Sequence, residues 1–298
     1  MIGKYSIHLA FAASLAAAPQ EAPEVVTRQL WDATLIEQRP AAKPTSGTKK
    51  ATPAKGQTTP VKPTAPVKGT LVGVTVWSFR PSKSADTAEV RAFVQEGDDD
   101  LWLTPERVAA DQPLAQGQKL RIGIEVSKAG YLYVIDRDEY ADGSKGDPFL
   151  IFPARNIMGG NNKVGPGMLV EIPAASDRVP YFTMNRSRPN QTKEVLTILI
   201  SPTPIPGLMV PGRQQVDKYG RPQLDEKQLA VWEKQWRVKS YQLGDAKTQG
   251  QTYTVAEKQA ASGAKPLSKD DPLPQLMYRL DTKTGEAGMM DLPLRIAK

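Results

Sequence analysis

The sequence predicts a mainly β protein: a β-sandwich of Ig-like, Greek-key type with one packed amphipathic helix, preceded by a disordered Pro/Lys-rich arm. Three observations carry this expectation. About ten short runs rich in β-branched and aromatic residues follow one another after residue 69, punctuated by Pro and Gly, as in sandwiches. A single helical stripe of Leu and Trp interrupts them near residue 230. Ahead of them, a stretch of about thirty residues lacks the large apolar side chains that a core requires.

In chain order, residues 1–18 have the makings of a secretory signal peptide. One charge, Lys4, precedes an apolar run that ends in small residues around Ser14, Leu15 and Ala16. That run is too short for the roughly 20 apolar residues that cross a bilayer. No second long apolar run follows, so no transmembrane span is expected in the mature chain, and the protein is expected to be exported, periplasmic or extracellular. Val26, Leu30 and Ala33, with Trp31 and Leu35 beside them, form a helical stripe within residues 19–38. This short amphipathic helix can dock back on the domain, or serve as a linear motif anchored by Trp31 on another protein.

Residues 39–68 hold seven cations, no acid and six prolines (Pro40, Pro44, Pro53, Pro60, Pro63 and Pro66). Such composition predicts a disordered linker with polyproline-II preference. The arm accounts for most of the net charge of +7, leaving residues 69–298 near neutral. A nucleic-acid partner is therefore not expected, and the arm is either a soluble spacer or a tether to an anionic surface.

The domain, residues 69–298, opens with a strand at 70–79, then 89–94, 119–126 and 131–136, the last two joined at 127–130 by a hairpin turn. Further strands are expected at 149–152, 168–172, 195–200, 252–255, 276–280 and 291–296, with a C-terminal hairpin over 275–297 whose loop is 281–285. Asp225 with Gln228 three residues on starts a helix over 225–238. Leu229, Trp232 and Trp236 on one side of it indicate packing on the open face of a sheet.

The runs Gln-Lys-Leu-Arg-Ile-Gly-Ile-Glu-Val at 118–126, Gly-Tyr-Leu-Tyr-Val-Ile-Asp at 130–136, Tyr-Ala-Asp-Gly at 140–143 and Asp-Pro-Phe-Leu-Ile-Phe-Pro at 147–153 resemble the bacterial family known as domain of unknown function 4384. The resemblance covers about 98–202, and the flanking Gln-Leu-Trp-Asp at 29–32 and Leu-Pro-Leu-Arg-Ile at 292–296 also look like exported members. It implies an exported or envelope-associated protein. The same domain occurs fused to signalling or peptidase modules, and the resemblance carries no catalytic residues over.

Chemistry is constrained by what the chain lacks. It has no Cys, and its single His, His8, lies in the signal peptide. Imidazole-dependent triads and the N/S ligand sets of zinc sites are thereby excluded from the mature chain. Arg178, Arg186 and Arg188 flank Tyr181 and Phe182, a combination suited to carboxylates or acidic glycans. Asp136, Asp138 and Asp142 alternate before Gly143, with Asp147 beyond, a weak calcium option. Tyr140 interrupts the series and no Glu closes it, so no metal and no cofactor is expected. The Glu96, Asp98, Asp99 and Asp100 cluster reads as a solvated turn between strands, and the glycine-rich 159–167 as a mobile loop.

These features favour a non-enzymatic envelope-associated binding or scaffolding module whose partner is an envelope protein or an anionic cell-wall polymer. The alternative is a carboxylate-dependent hydrolase of cell-wall glycan or peptide, since residues brought together from distant strands escape spacing arguments. An exposed apolar patch or free strand edge would favour the first, and converging groups of perturbed pKa in a pocket the second.

Overall fold

The computed structural model describes residues 35, 37–41 and 69–297, except 97–98, 110–111, 155–156, 207, 209–215, 217–219 and 246–247. The predicted signal peptide, Trp31 and residues 42–68 of the arm lie outside them.

Two antiparallel sheets face each other and curl toward a half-barrel. The eight-stranded sheet contains β1 (Thr70–Pro81), β2 (Ala92–Glu96), β3 (Asp99–Arg107), β4 (Lys119–Val126), β8 (Leu169–Ile172), β9 (Phe182–Thr183), β11 (Ser240–Asp245) and β12 (Leu276–Leu280). The five-stranded sheet contains β5 (Gly130–Tyr140), β6 (Phe149–Phe152), β7 (Lys163–Val164), β10 (Gln191–Ser201) and β13 (Gly288–Arg295). The predicted sandwich is thus what forms, and alternation explains it. Val72, Val74 and Val76 of β1 and Leu120, Ile122 and Ile124 of β4 point inward. They meet Leu132 and Val134 of β5, Ile198 of β10 and Leu292 of β13 in one buried cluster.

Strand β1 organises the larger sheet. One edge pairs with β4, while the other pairs first with β12 and then, past Val74, with β3. The gap between β12 and β3 is closed by Gln275, whose backbone N–H donates to Thr75 Oγ1 at 3.2 Å and whose Oε1 accepts from Val76 N at 3.3 Å.

Both predicted hairpins are instead passages between sheets. The 127–130 turn leaves β4 in the larger sheet and enters β5 in the smaller one, and 281–285 likewise separates β12 from β13. Both edges of β4 are already occupied, by β1 and by β8 and β9, and β5 is flanked by β10 and by β6 and β7. Long-range pairing therefore overrides the local turn signal. The expected strand at 252–255 is a second correction. Thr254 caps a helix, α2 (Val255–Ala261), in a capping box with Glu257, and only Thr252 forms an isolated bridge, to Glu106. The predicted helix forms as α1 (Glu226–Trp236), with the Asp225 side chain accepting from Gln228 N. Its Leu229 and Trp232 pack on Tyr133, Ile135, Leu199 and Met289, the outer face of the smaller sheet.

The outer face of the larger sheet is covered differently, by charges. Arg121 and Glu125 of β4, Glu171 of β8 and Arg107 of β3 are all buried there. Arg107 pairs with Glu257 of α2 at 2.8 Å, and Arg121 with Glu171 at 3.3 Å. Burial pushes the Glu171 carboxyl above its usual range, against the attraction of Arg121. Trp77 lies over Gly123, where a Cβ would stand 2.6 Å from the indole ring, so only glycine fits beneath it.

The third pair corrects the expected arm boundary. Arg39, assigned by composition to the disordered linker, is buried, and each of its five N–H donors has an acceptor. Nε and Nη2 grip the two oxygens of Glu125 at 2.8 and 2.7 Å. Nη1 donates to the carbonyls of Ser268 and Asp271, and Nη2 to that of Pro272. Leu35 is buried with Leu71 and Met277. Leu35 and Arg39 therefore pack on the domain, while Val26, Leu30 and Ala33 of the predicted 19–38 helix lie outside the described residues. The 159–167 loop is also held: Leu132 N donates to Asn162 O at 2.9 Å, and Leu267 N to Gly167 O at 2.7 Å.

Removing one partner of a buried ion pair leaves the other unpaired, at a cost of about 3–5 kcal/mol. We expect Arg39→Ala to lose stability of that order in chemical denaturation, and a chain starting at residue 69 to lose at least as much. Wild-type stability in the truncated chain would show that Arg39 contributes nothing net.

Candidate functional site

The β2–β3 hairpin overhangs the sandwich. Going outward along β1, the core-facing side runs from Val76 through Ser78 to Arg80, which is paired with Thr104 of β3. Trp102 is two residues from Thr104 on the same side, and Phe93 of β2 is paired directly with Trp102. The aromatic pair thus continues the core-facing side of the larger sheet to a place the smaller sheet does not cover. Trp102 is 54% exposed and Phe93 51%. Their ring centroids are 5.2 Å apart, with the planes inclined at 56°. β2 is the last strand of its sheet order.

The hairpin is anchored firmly. On its other face Val94 and Leu103 pack with Phe79 and Tyr181. At its root Arg80 forks onto Asp86 at 2.8 and 3.0 Å and reaches Glu106 at 2.5 Å. Thr104 Oγ1 and Lys83 N also donate to Asp86, and with Arg80 they hold its carboxyl well below the usual carboxylate range. Glu96, near the tip, accepts from Lys119 Nζ and from the Tyr181 hydroxyl. Glu96 closes β2 and pairs with Asp99 of β3, so the described acids of the expected turn lie in strands, with Asp99 and Asp100 exposed. Sequence reasoning missed β3 because Pro105 and the acids mask it. The alternation of Leu101 and Leu103 against Trp102 and Thr104 was the available signal.

A second feature is a group of carboxylates. Asp138 of β5 is paired across the strands with Glu194 of β10, and Asp136 lies two residues away on the same side. Asp138 accepts from Gln191 Nε2 at 2.7 Å and Ser187 Oγ at 2.5 Å. Asp136 pairs with Arg221 at 2.6 Å. Burial pushes the Glu194 carboxyl up to about 8, helped by the negative charges of Asp136 and Asp138. Burial likewise lifts Asp136 to about 6, against the pull of Arg221.

The calcium option does not assemble. Asp142 accepts from Ser144 N and Oγ in its own turn, Asp147 is exposed, and Asp136 and Asp138 have the partners just named. Among the described residues no three acidic side chains are grouped to hold a metal ion.

The arginine–aromatic set is dispersed too. Tyr181 is buried under the hairpin, with Lys119 Nζ 4.8 Å from its ring centroid. Arg186 donates to the carbonyls of Pro189 and Ala297, Arg188 lies 4.5 Å over the Tyr140 ring, and Arg178 is exposed. These side chains serve different contacts, because the chain turns between them. Trp31 lies outside the described residues.

Two hollows among the described residues hold about 10 and 20 Å³, room for about one water each. No described helix is long and apolar enough to cross a membrane. No family model, curated protein or solved structure matches this chain.

Both raised carboxyls bind protons more tightly when folded than when unfolded. Their contribution to stability is therefore fully present below the unfolded carboxylate range and is lost as pH rises toward 8. We expect stability, measured by denaturant titration, to fall between pH 5 and pH 8, and Glu194→Gln to flatten that fall. An unchanged pH profile in Glu194→Gln would remove Glu194 as its source.

Proposed function

We propose that this chain is an exported, non-enzymatic binding or scaffolding module of the bacterial cell envelope, related to the family known as domain of unknown function 4384. Its partner is an envelope protein or an anionic wall polymer. The observation that carries this reading is the Phe93–Trp102 pair, two large aromatic rings held open to solvent on a braced edge hairpin. Aromatic side chains of this kind are frequent binding hot spots. The signal-peptide pattern and the basic surplus of residues 39–68 agree with an envelope location and with electrostatic attraction to an anionic surface.

A second reading, a carboxylate-dependent hydrolase, is favoured by the neighbouring Asp136 and Glu194, whose raised affinities for protons are of the kind found in acid–base catalysis. Turnover of wall glycan or peptide by the mature chain, abolished in Glu194→Gln, would replace the binding reading with this one.

Co-sedimentation with purified envelope material tests the first reading. Trp102→Ala should weaken retention about tenfold, as the loss of about 1.4 kcal/mol at an aromatic anchor does. Replacing the six arm lysines, Lys43, Lys49, Lys50, Lys55, Lys62 and Lys68, by serine keeps the arm's length and Arg39, and should weaken retention mainly at low salt, where electrostatic reach is about 30 Å rather than about 8 Å. Full retention by Trp102→Ala at every salt concentration would overturn the assignment of the hairpin.

A further inference from the structure

Pro60, Pro63 and Pro66 recur at every third residue of the arm, with Lys62 and Lys68 among them. In a polyproline-II helix, with three residues per turn and a rise of about 3.1 Å per residue, prolines at this spacing share one side, about 9 Å apart. Such segments are held by solvent-open aromatic side chains, at low entropic cost because the extended helix is close to their free conformation. The hairpin offers that chemistry: inclined rings 5.2 Å apart, beside the exposed carboxylates of Asp99 and Asp100 that complement the lysines.

Chain length decides whose arm can reach. Ser82, at the far end of β1 from Gly69, donates its N–H to Trp102 O at 2.8 Å. Twelve strand steps at about 3.3 Å put Trp102 up to about 40 Å along β1 from the end of the arm. The nine residues from Pro60 to Gly69 extend at most about 32 Å, and the three from Pro66 at most about 11 Å. Only the Pro60 end of a chain's own motif approaches that distance, so the whole motif cannot lie on its own hairpin, whereas a second copy is under no such limit.

We propose that the 60–66 segment of one copy docks in trans on the Phe93–Trp102 face of another. The two surfaces differ, so the contact is head-to-tail and can propagate from copy to copy. It rests on the reading of the hairpin as a binding surface and gives the scaffolding role a physical form.

Sedimentation velocity of the mature full chain tests it, alongside Trp102→Ala and a Pro60→Ala/Pro63→Ala/Pro66→Ala triple variant, each checked for wild-type circular dichroism and Tm. The wild type should gain mass with concentration, and each variant should stay monomeric. An equimolar mixture of the two variants should form dimers, because one intact arm then meets one intact hairpin. A wild type that stays monomeric into the millimolar range, association that survives in either variant, or a mixture that stays monomeric would each overturn the proposal. The two readings fail separately. Reduced envelope retention by Trp102→Ala in a chain that never self-associates leaves the hairpin as a binding surface and removes only the contact in trans.

Discussion

Three arginine–glutamate pairs buried on the outer face of the larger sheet determine how the rest of the chain can be arranged. β1 and β4 are apolar toward the sandwich interior, yet β4 turns Arg121 and Glu125 to the other side. Those charges can leave water only if each finds a partner and enough hydrogen bonds. The partners come from far along the chain: Glu171 from β8, and Arg39 from the segment before the arm. Arg107 of β3 enters the same layer with Glu257 of α2. Glu257 serves twice, since its Oε2 accepts from Thr254 N and Oγ1 in the helix cap while Oε1 receives Arg107. Capping, helix docking and charge neutralisation are thereby one event. Replacing such pairs with well-packed apolar groups often raises stability, so their value here lies in specifying where the 35–41 segment and α2 sit.

The inequality of the two sheets sets the surface chemistry. Eight strands face five, and the excess is not left bare everywhere. The outer faces are covered by α1 on one side and by α2 with its ion pairs on the other. Where β2 and β3 run past the smaller sheet, the core-facing side continues into solvent, carrying Phe93 and Trp102. A face patterned for a core but left without a cover favours any partner able to desolvate it. The network around Asp86 and Arg80 ties β3 to β1 at the root of the hairpin, which lowers the entropic cost of binding there.

The carboxylates of Asp136, Asp138 and Glu194 show the opposite use of register. Placing Asp138 opposite Glu194 brings like charges together across two strands, an arrangement that opposes folding unless one is protonated or a cation is near. Arg221 supplies the cation for Asp136, while burial and the neighbouring negative charges raise the proton affinity of Glu194.

The sequence by itself determined the elements whose two faces differ clearly. Alternation marked β1, β4, β5, β6, β8, β10, β12 and β13, and the Asp225 cap with the Leu229, Trp232 and Trp236 stripe marked α1, because burial of one face follows directly from local periodicity. Which strands pair was not legible. The 127–130 and 281–285 turns look like hairpins locally, yet flank strands of different sheets, since pairing is settled by neighbours distant in sequence. The Arg39–Glu125 pair spans 86 residues, and a lone arginine among prolines carries no sign of a partner so far away. The candidate surface was hidden for a related reason. Phe93 and Trp102 lie on the side of their strands that alternation assigns to a core, and only the tertiary structure shows that the second sheet ends before it reaches them.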